Sequence, residues 1–334
     1  MAMESTGNYW QNLYVELEKH RLEVTLVNGK FTKNIKGKKT DVKDARWIQK
    51  LHSIGLLTGS FLPDETTETL RTFCRQRQNM LDLATEATHK MQKYLKLLNF
   101  RLDVVVNDIC GLTGLAIIAD ICNGNLDPKE LAKHRHGNCH KSEEEIAKAL
   151  KGNNRADYLF GLKQEFESYH FYQKKVAECD KQIGAFLKNQ INTDPEKKKL
   201  KTDDKKHKRV NKNAIKGIDL NQASFQYFDG VDLMKVEGLS HATILSIISE
   251  VGPEDFQKFE TAKQFTSWLR LAPNNKISGG KLLSSKTPKG SNRFKIAFRN
   301  AANVIGGLKD THTSDFFKRV AYIIIHENSL RPCG

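Results

Sequence analysis

"ADYLFGLKQEFESYHFYQKKVAECDKQIGAFLKNQI", residues 156 to 191, places Leu159, Leu162, Phe166, Tyr169, Gln173, Val176, Asp180, Ile183 and Leu187 at alternating spacings of three and four. That rhythm holds one stripe on one side of an α-helix and predicts a helical hairpin or a coiled coil. Two of the nine positions, Gln173 and Asp180, are polar, so the seam is imperfect. Upstream, Asp64 to about Leu102 reads as a long polar helix whose apolar stripe is Leu70, Phe73, Met80, Leu81, Ala84, Met91, Leu95 and Leu98. Small helices lie between the two. Asp127-Pro128 supplies a cap and a first helical position, Ser142 and Glu145 have the spacing of a capping box, and "GLTGLAIIADIC" (111–122) reads as a buried helix.

The first fifty residues have a different grammar. "MAME" reads as a strand end, "YWQNLYVELEKH" as an amphipathic helix, and "LEVTLVN" as a β-rich run turning at Asn28-Gly29. A further helix is expected from Thr40, a capping hydroxyl, with Ala45, Trp47, Ile48 and Leu51 facing a core. Strand, helix, strand, helix points to a parallel or mixed sheet. A single pair of strands does not make a stable sheet domain, so further strands are expected upstream of Met1.

After the long helices, "PEKKKLKTDDKKHKRVNKNAIKG" (195–217) carries ten Lys/Arg against three acids and reads as a basic linker. Beyond it a helix is expected to end at Val236. A tight turn "EGLS" follows, and Ser240 caps an apolar helix stopping at Gly252. Helix, glycine turn, helix can present backbone N–H groups to a phosphate, which makes Gly238 and Ser240 candidate nucleic-acid contacts.

With 39% apolar and 28% charged residues in 334, the chain has the composition of a globular protein of two or three domains. No run approaches the ~18 apolar residues of a membrane span, and "MAMESTGNYW" lacks the blocks of a signal peptide. Six scattered cysteines without a CxxC pair suit reduced thiols in a cytoplasm. The net charge is +15, and between Arg270 and Arg299 there are eight Lys/Arg and no acid. Blocks of one sign gain free energy by displacing counterions from a phosphate backbone, so nucleic acid is the expected partner.

Three constellations carry possible chemistry. Asp41 and Asp44, three apart, share a helical face, and Glu4 at a strand end can complete a set of hard oxygen ligands suited to Mg²⁺; the competing reading is a set of surface salt bridges. Ser278, ahead of Gly279-Gly280, lies among Lys276, Lys281, Lys286, Lys289, Arg293 and Arg299, which can neutralise charge when an alkoxide attacks phosphorus. Ser284, Ser285 and Ser291 compete for that role, and phosphate binding without chemistry is the alternative. In "KHRHGNCHK" (133–141), His134, His136, Cys139 and His140 could ligate zinc, but no second ligand cluster is evident and the segment reads as a surface loop.

The segments "MESTG", "KTDVKDA", "GLLTGSF" and "VEGLSHATILSIISEVG", with the later "SGGK", resemble the insertion-sequence transposases of the IS-one-ten group, relatives of the Piv DNA invertases. The resemblance implies a RuvC-like, ribonuclease-H-fold domain with four acids in the order Asp, Glu, Asp, Asp. It also implies a helical transposase domain with a serine nucleophile, a helix-hairpin-helix-like element, and a coiled coil between the two domains. Carried over, the catalytic set is Glu4, Asp41, Asp44 and Ser278, the first three as Mg²⁺ ligands. The family's first aspartate lies on an earlier strand, and "YIIIHENSLRPCG" ends where the family continues with a basic helical segment, so the chain is expected to be shortened at both ends. The expected domains are 1–62 (partial RuvC-like), 63–194 (helical and coiled coil), 195–217 (basic linker) and 218–334 (serine transposase).

The implied activity is strand cleavage and exchange on element ends and target DNA through a phosphoserine-type intermediate, in a bacterial cytoplasm at the nucleoid. A homodimer or tetramer with composite sites and an element-encoded structured guide RNA go with it. The alternatives are a non-catalytic nucleic-acid-binding remnant and a nuclease using the acids alone.

Overall fold

In the computed structural model the described residues are 1–32, 40–191, 211–290 and 293–329. They fall into two compact units, Met1–Pro63 and Asp64–Gly334. Helices dominate, with few strands.

The first unit runs β1 (Ala2–Glu4), α1 (Tyr9–Lys19), β2 (Thr25–Val27), α2 (Gly29–Thr32) and α3 (Asp41–Ser53). β1 and β2 pair in parallel, Ala2 opposite Thr25 and Glu4 opposite Val27. A parallel pair requires a crossover, and α1 provides it. On the other edge of β2, Ser60 N–H donates to Leu26 O at 2.6 Å. Leu26 and Val27 are buried, whereas α1 buries none of its residues. Thr40 caps α3 as its hydroxyl predicts, accepting from Lys43 N–H at 3.3 Å.

Two details of this unit differ from the sequence reading. Asn28-Gly29 leads into the single turn α2, not a plain reversal. Ala45 is exposed, because the packed face of α3 runs through positions 44, 47, 48 and 51 and so turns Asp44 partly inward.

The second unit is organised by two long helices. α4 (Glu65–Leu97) leads through a 3₁₀ turn at Leu102–Val104 into α5 (Leu112–Cys122), α6 (Pro128–Ala132) and α7 (Glu143–Ala149), and the chain returns along α8 (Ala156–Ile191). Asp64, Asp127 and Ser142 cap their helices through side-chain oxygens, and the capping box of Ser142 and Glu145 is formed. α4 and α8 are antiparallel: Phe73 meets Phe186, Arg77 meets Asp180, and Lys90 meets Glu165. The partner of the stripe on 156–191 is therefore α4.

Each end of this hairpin carries its own apolar core. At the far end Met91, Leu95, Leu162 and Tyr169 pack with α5 to α7, where Ile117, Ile118, Leu131 and Ile146 are fully buried. Chain crossings there are pinned by hydrogen bonds from Asn153 Nδ2 to Leu97 O and Asn99 Nδ2 to Lys151 O, both 2.9 Å. At the near end Leu70, Ile183 and Leu187 pack with the C-terminal helices. Each such fully buried aliphatic side chain contributes roughly 1.5–3 kcal/mol.

Between the cores Arg77 and Asp180 form a buried ion pair, with side chains 7% and 4% exposed. Arg77 Nη2 also donates to Asn213 O at 2.9 Å, and Asp180 Oδ2 accepts from Lys216 N–H at 3.1 Å. The polar position in the stripe is thus the clamp that fastens the returning segment 213–216 onto the hairpin. Of the basic linker, residues 195–210 lie outside the described residues.

The C-terminal part runs α9 (Leu220–Tyr227), α10 (His241–Glu250), α11 (Pro253–Gln257), α12 (Ala262–Trp268), β3 (Lys276–Ser278), β4 (Lys281–Ser284), α13 (Arg293–Gly306) and α14 (His312–Ser329). The helix expected to end at Val236 is a single 3₁₀ turn, Leu233–Lys235. The backbone is at φ +92° at Gly230, past the end of α9, and the Asp232 carboxylate caps Met234 N–H, so only one turn fits. Arg71 and Arg75 bolt α10 to α4. Arg71 Nη2 donates to Glu250 O at 2.8 Å, satisfying a C-terminal carbonyl, and Arg75 grips the Glu250 carboxylate at 3.0 and 2.8 Å.

Candidate catalytic residues and nucleic-acid surface

Glu4 ends β1, and both its oxygens are engaged: Thr6 Oγ1 donates to one and Thr32 Oγ1 to the other, each at 2.8 Å. Thr32 is buried, so the short helix α2 holds the carboxylate from below. Gly29 is required beside it, because a methyl group there would collide with the Glu4 carboxylate. Asp41 and Asp44 occupy the first turn of α3, where the N-terminal end of the helix dipole favours negative charge. Asp41 is exposed and Asp44 half-buried.

α3 packs against β1, which brings the acid-bearing elements next to each other. Among the described residues, however, no three His, Cys, Asp or Glu side chains are grouped as metal ligands are. The three carboxylates do not make a ready cage for Mg²⁺ in the isolated chain. Lys33, Lys36, Lys38 and Lys39 of the neighbouring tract lie outside the described residues.

Ser278 is placed by the turn that follows it. Gly279 and Gly280 have φ of +55° and +74°, the left-handed pair that a two-residue type I′ hairpin demands. β3 and β4 therefore pair with Ser278 opposite Lys281 and Ile277 opposite Leu282. Directly opposed residues share a face, so the Ser278 hydroxyl has an ammonium group as its cross-strand neighbour. Ser278 is exposed, at the very tip of the hairpin. Ser284 stands at the other end of β4 and accepts from Lys286 N–H at 3.4 Å. Ser285 is exposed, and Ser291 is outside the described residues.

The base of this loop is closed by Asn274 N–H donating to Lys286 O at 3.1 Å and Arg270 Nη1 to Lys289 O at 2.9 Å. Lys276, Lys281, Lys286, Lys289, Arg293 and Arg299 are all exposed. The result is a protruding hydroxyl on an acid-free, cationic stretch, with Ile277, Leu282 and Leu283 exposed beside it. Such a surface can neutralise the charge of a phosphodiester beside an accessible hydroxyl.

Gly238 and Ser240 shape the turn into α10. Gly238 has φ +78°, and a side chain there would press on Ala301 O and the Ile305 side chain, so this turn is packed on α13. Ser240 caps α10, accepting from Thr243 N–H at 3.2 Å. In "KHRHGNCHK", His134 Nε2 lies 2.7 Å from Asp120 Oδ2 and holds that carboxyl below its usual range. His136 and His140 are exposed on the loop.

A groove of about 480 Å³ between α4, α10 and α13 has no counterpart in the sequence reading. Arg75, His241, Arg293 and Asn300 line it, and they come from three segments distant in sequence. No short motif announces such a site.

No curated protein sequence matches the chain. Two family models do. One, for the DEDD transposases of the IS110 type and described as "Transposase", matches residues 1–100. The other, described as "Transposase IS116/IS110/IS902 family", matches residues 232–318. Together they span more than half of the chain and cover both the carboxylate-bearing unit and the Ser278 hairpin, in the family's order. The chain belongs to the IS110 family of transposases.

Proposed function

We propose that this protein is a recombinase subunit that cuts and rejoins DNA at the ends of an insertion element, with Ser278 as nucleophile. Ser278 Oγ attacks a phosphodiester, the Oγ–P bond forms as the P–O3′ bond breaks, and the departing 3′ oxygen takes up a proton while the serine proton passes to solvent or a base. A 3′-hydroxyl from the other duplex then reverses the step and releases the serine. Lys281, as cross-strand neighbour, lowers the cost of the developing charges, and Lys276, Lys286, Lys289, Arg293 and Arg299 hold the DNA backbone. Gly238 and Ser240 keep a proposed supporting role, presenting the start of α10 towards a strand.

The exposed serine at the tip of a Gly-Gly hairpin, in a stretch without acids, carries this reading. Family membership adds the RuvC-like, ribonuclease-H-fold character of residues 1–62, the coiled-coil character of 63–194 and the serine-transposase character of 218–334. It also suggests assembly as a homodimer or tetramer, and a structured RNA as a further partner of the basic linker 195–217. Glu4, Asp41 and Asp44 are the proposed Mg²⁺ ligands, and the metal would supply charge neutralisation at the phosphate. In the isolated chain they are not grouped to hold it. That observation favours a second reading, a nucleic-acid-binding remnant without chemistry.

Incubation with element-end DNA followed by denaturing electrophoresis separates the readings. The parent chain should trap a covalent protein–DNA adduct, and Ser278→Ala should bind the DNA equally well and trap none. An adduct that survives in Ser278→Ala refutes the serine assignment, cutting without any adduct points to a nuclease, and binding without cutting to the remnant.

A further inference from the structure

The β3–β4 hairpin has two faces of different chemistry and buries neither. Side chains alternate along a strand and directly opposed residues share a face, so Ser278 and Lys281 lie on one face and Ile277 and Leu282 on the other. Every residue of β3 is exposed, and so is every residue of β4 except Ser284. Ile277 and Leu282 are 65% and 58% exposed and belong to neither apolar core. The tip is equally open, because a side chain at Gly279 or Gly280 would meet nothing within 4 Å.

Single exposed apolar side chains are ordinary on a protein surface, but a directly opposed pair on a free ribbon is not. A two-stranded hairpin is marginal in water unless its apolar face is covered. The cover has to suit both faces, which stand back to back across one ribbon. Residues 270–299 carry eight Lys/Arg and no acid, so the partner is anionic. A lipid surface would wet both faces alike, and a protein that covers the apolar pair would leave the cations of the other face unanswered. A nucleic acid whose strands have come apart offers phosphates to one face and apolar base faces to the other.

We propose that the hairpin is a strand-separating pin. It enters the duplex at the step that Ser278 cuts, with Ser278 and Lys281 towards the backbone of the cut strand and Ile277 and Leu282 against unstacked bases of the opposite strand. The proposal rests on the recombinase reading for the position of the pin, and it adds the opening of that base step to the work of the hairpin. Aliphatic side chains serve as wedges at unstacked steps. Steps that unstack easily, pyrimidine–purine above all, are the favoured positions for such a pin.

The test is permanganate oxidation of unstacked thymines in element-end duplexes bound by the full chain carrying Ser278→Ala, which keeps the DNA uncut. Thymines flanking one step should become reactive, and that step should be the one the parent chain cuts. Adding Ile277→Thr/Leu282→Thr, which keeps the strand preference but makes the pair short and polar, should leave binding in place and abolish the reactivity. With Ser278 restored, the same two changes should lower the yield of covalent adduct on fully paired DNA by about tenfold or more, and the yield should return when that step lies in a mismatched bubble. A purely structural role for the pair would not be rescued by the DNA. Undiminished reactivity, or an adduct loss that the bubble does not restore, overturns the proposal. So does a DNA-free parent chain that sediments as an oligomer which Ile277→Thr/Leu282→Thr dissociates, because the apolar face is then an interface between copies. A Ser278-dependent adduct that parent and variant form alike on both DNAs overturns the pin and leaves the recombinase reading standing. Reactive thymines that the variant loses, without an adduct on any DNA, keep the pin and refute the serine assignment.

Discussion

Arg77 and Asp180 meet across the antiparallel helices at the level where the two apolar cores stop, and both are almost completely shielded from water. Each also bonds the backbone of residues 213–216. One ion pair thereby joins three strands of chain that are far apart in sequence. Removing one partner strands the other charge in a dry site. Asp180→Ala is expected to destabilise the second unit by about 3–5 kcal/mol, and Arg77→Met/Asp180→Leu by much less. Urea unfolding of the two variants checks this; equal losses would mean that the charges are not coupled.

Gly238 and Gly280 both have positive φ, but only Gly238 is hemmed in. Gly280→Ala should cost roughly 1–2 kcal/mol of backbone strain confined to the hairpin. Gly238→Ala adds overpacking against α13, for a total of roughly 2–4 kcal/mol. Thermal unfolding should rank them in that order, and the reverse order would contradict the packing of the turn on α13.

Asp108 receives Lys212 Nζ at 2.6 Å and Cys110 N–H at 2.8 Å. Burial alone would raise its carboxyl, yet the hydrogen bonds from Lys212 and Cys110 outweigh it and hold the group below its ordinary 3.8. A depressed carboxyl stabilises the fold above its unfolded value, and that contribution is lost as pH falls through the folded one. Asp108→Asn should therefore be less stable than the parent near neutrality and converge with it below about 3.8. A gap that persists in acid would assign the effect to packing.

Thr32 and Gly29 both act through Glu4. Thr32→Val should cost about 1 kcal/mol for one hydrogen bond, and Gly29→Ala more, because its methyl displaces the carboxylate. Once the carboxylate has moved, Thr32 has no bond left to lose, so the double variant should fall short of the sum. Strict additivity in denaturant unfolding would show that the two residues work independently.

The sequence is explicit wherever a local rule applies. Thr40, Asp64, Asp127, Ser142 and Ser240 each start the helix their side chains can cap. Long-range choices are hidden in it. Nothing near Asp180 names Arg77, 103 residues away, as its partner, and the stripe on α8 does not say that α4 covers it. A spacing of three does put Asp41 and Asp44 in one helical turn. It cannot say how far that turn stands from a strand end, and in the folded chain the carboxylates are not grouped. The Gly279-Gly280 pair marks a permissive backbone, but a type I′ hairpin follows only once the flanking "KIS" and "KLLS" are read as strands.

The crossings at Asn99 and Asn153 have a practical corollary. The chain departs along one rod of ~50 Å and comes home along another, and residues 102–149 are fastened to both rods by the far core and to the returning segment by Lys212 on Asp108. Trimming that head would bare Met91, Leu95, Leu162 and Tyr169 to water, so the far tip of the hairpin depends on it for its own core.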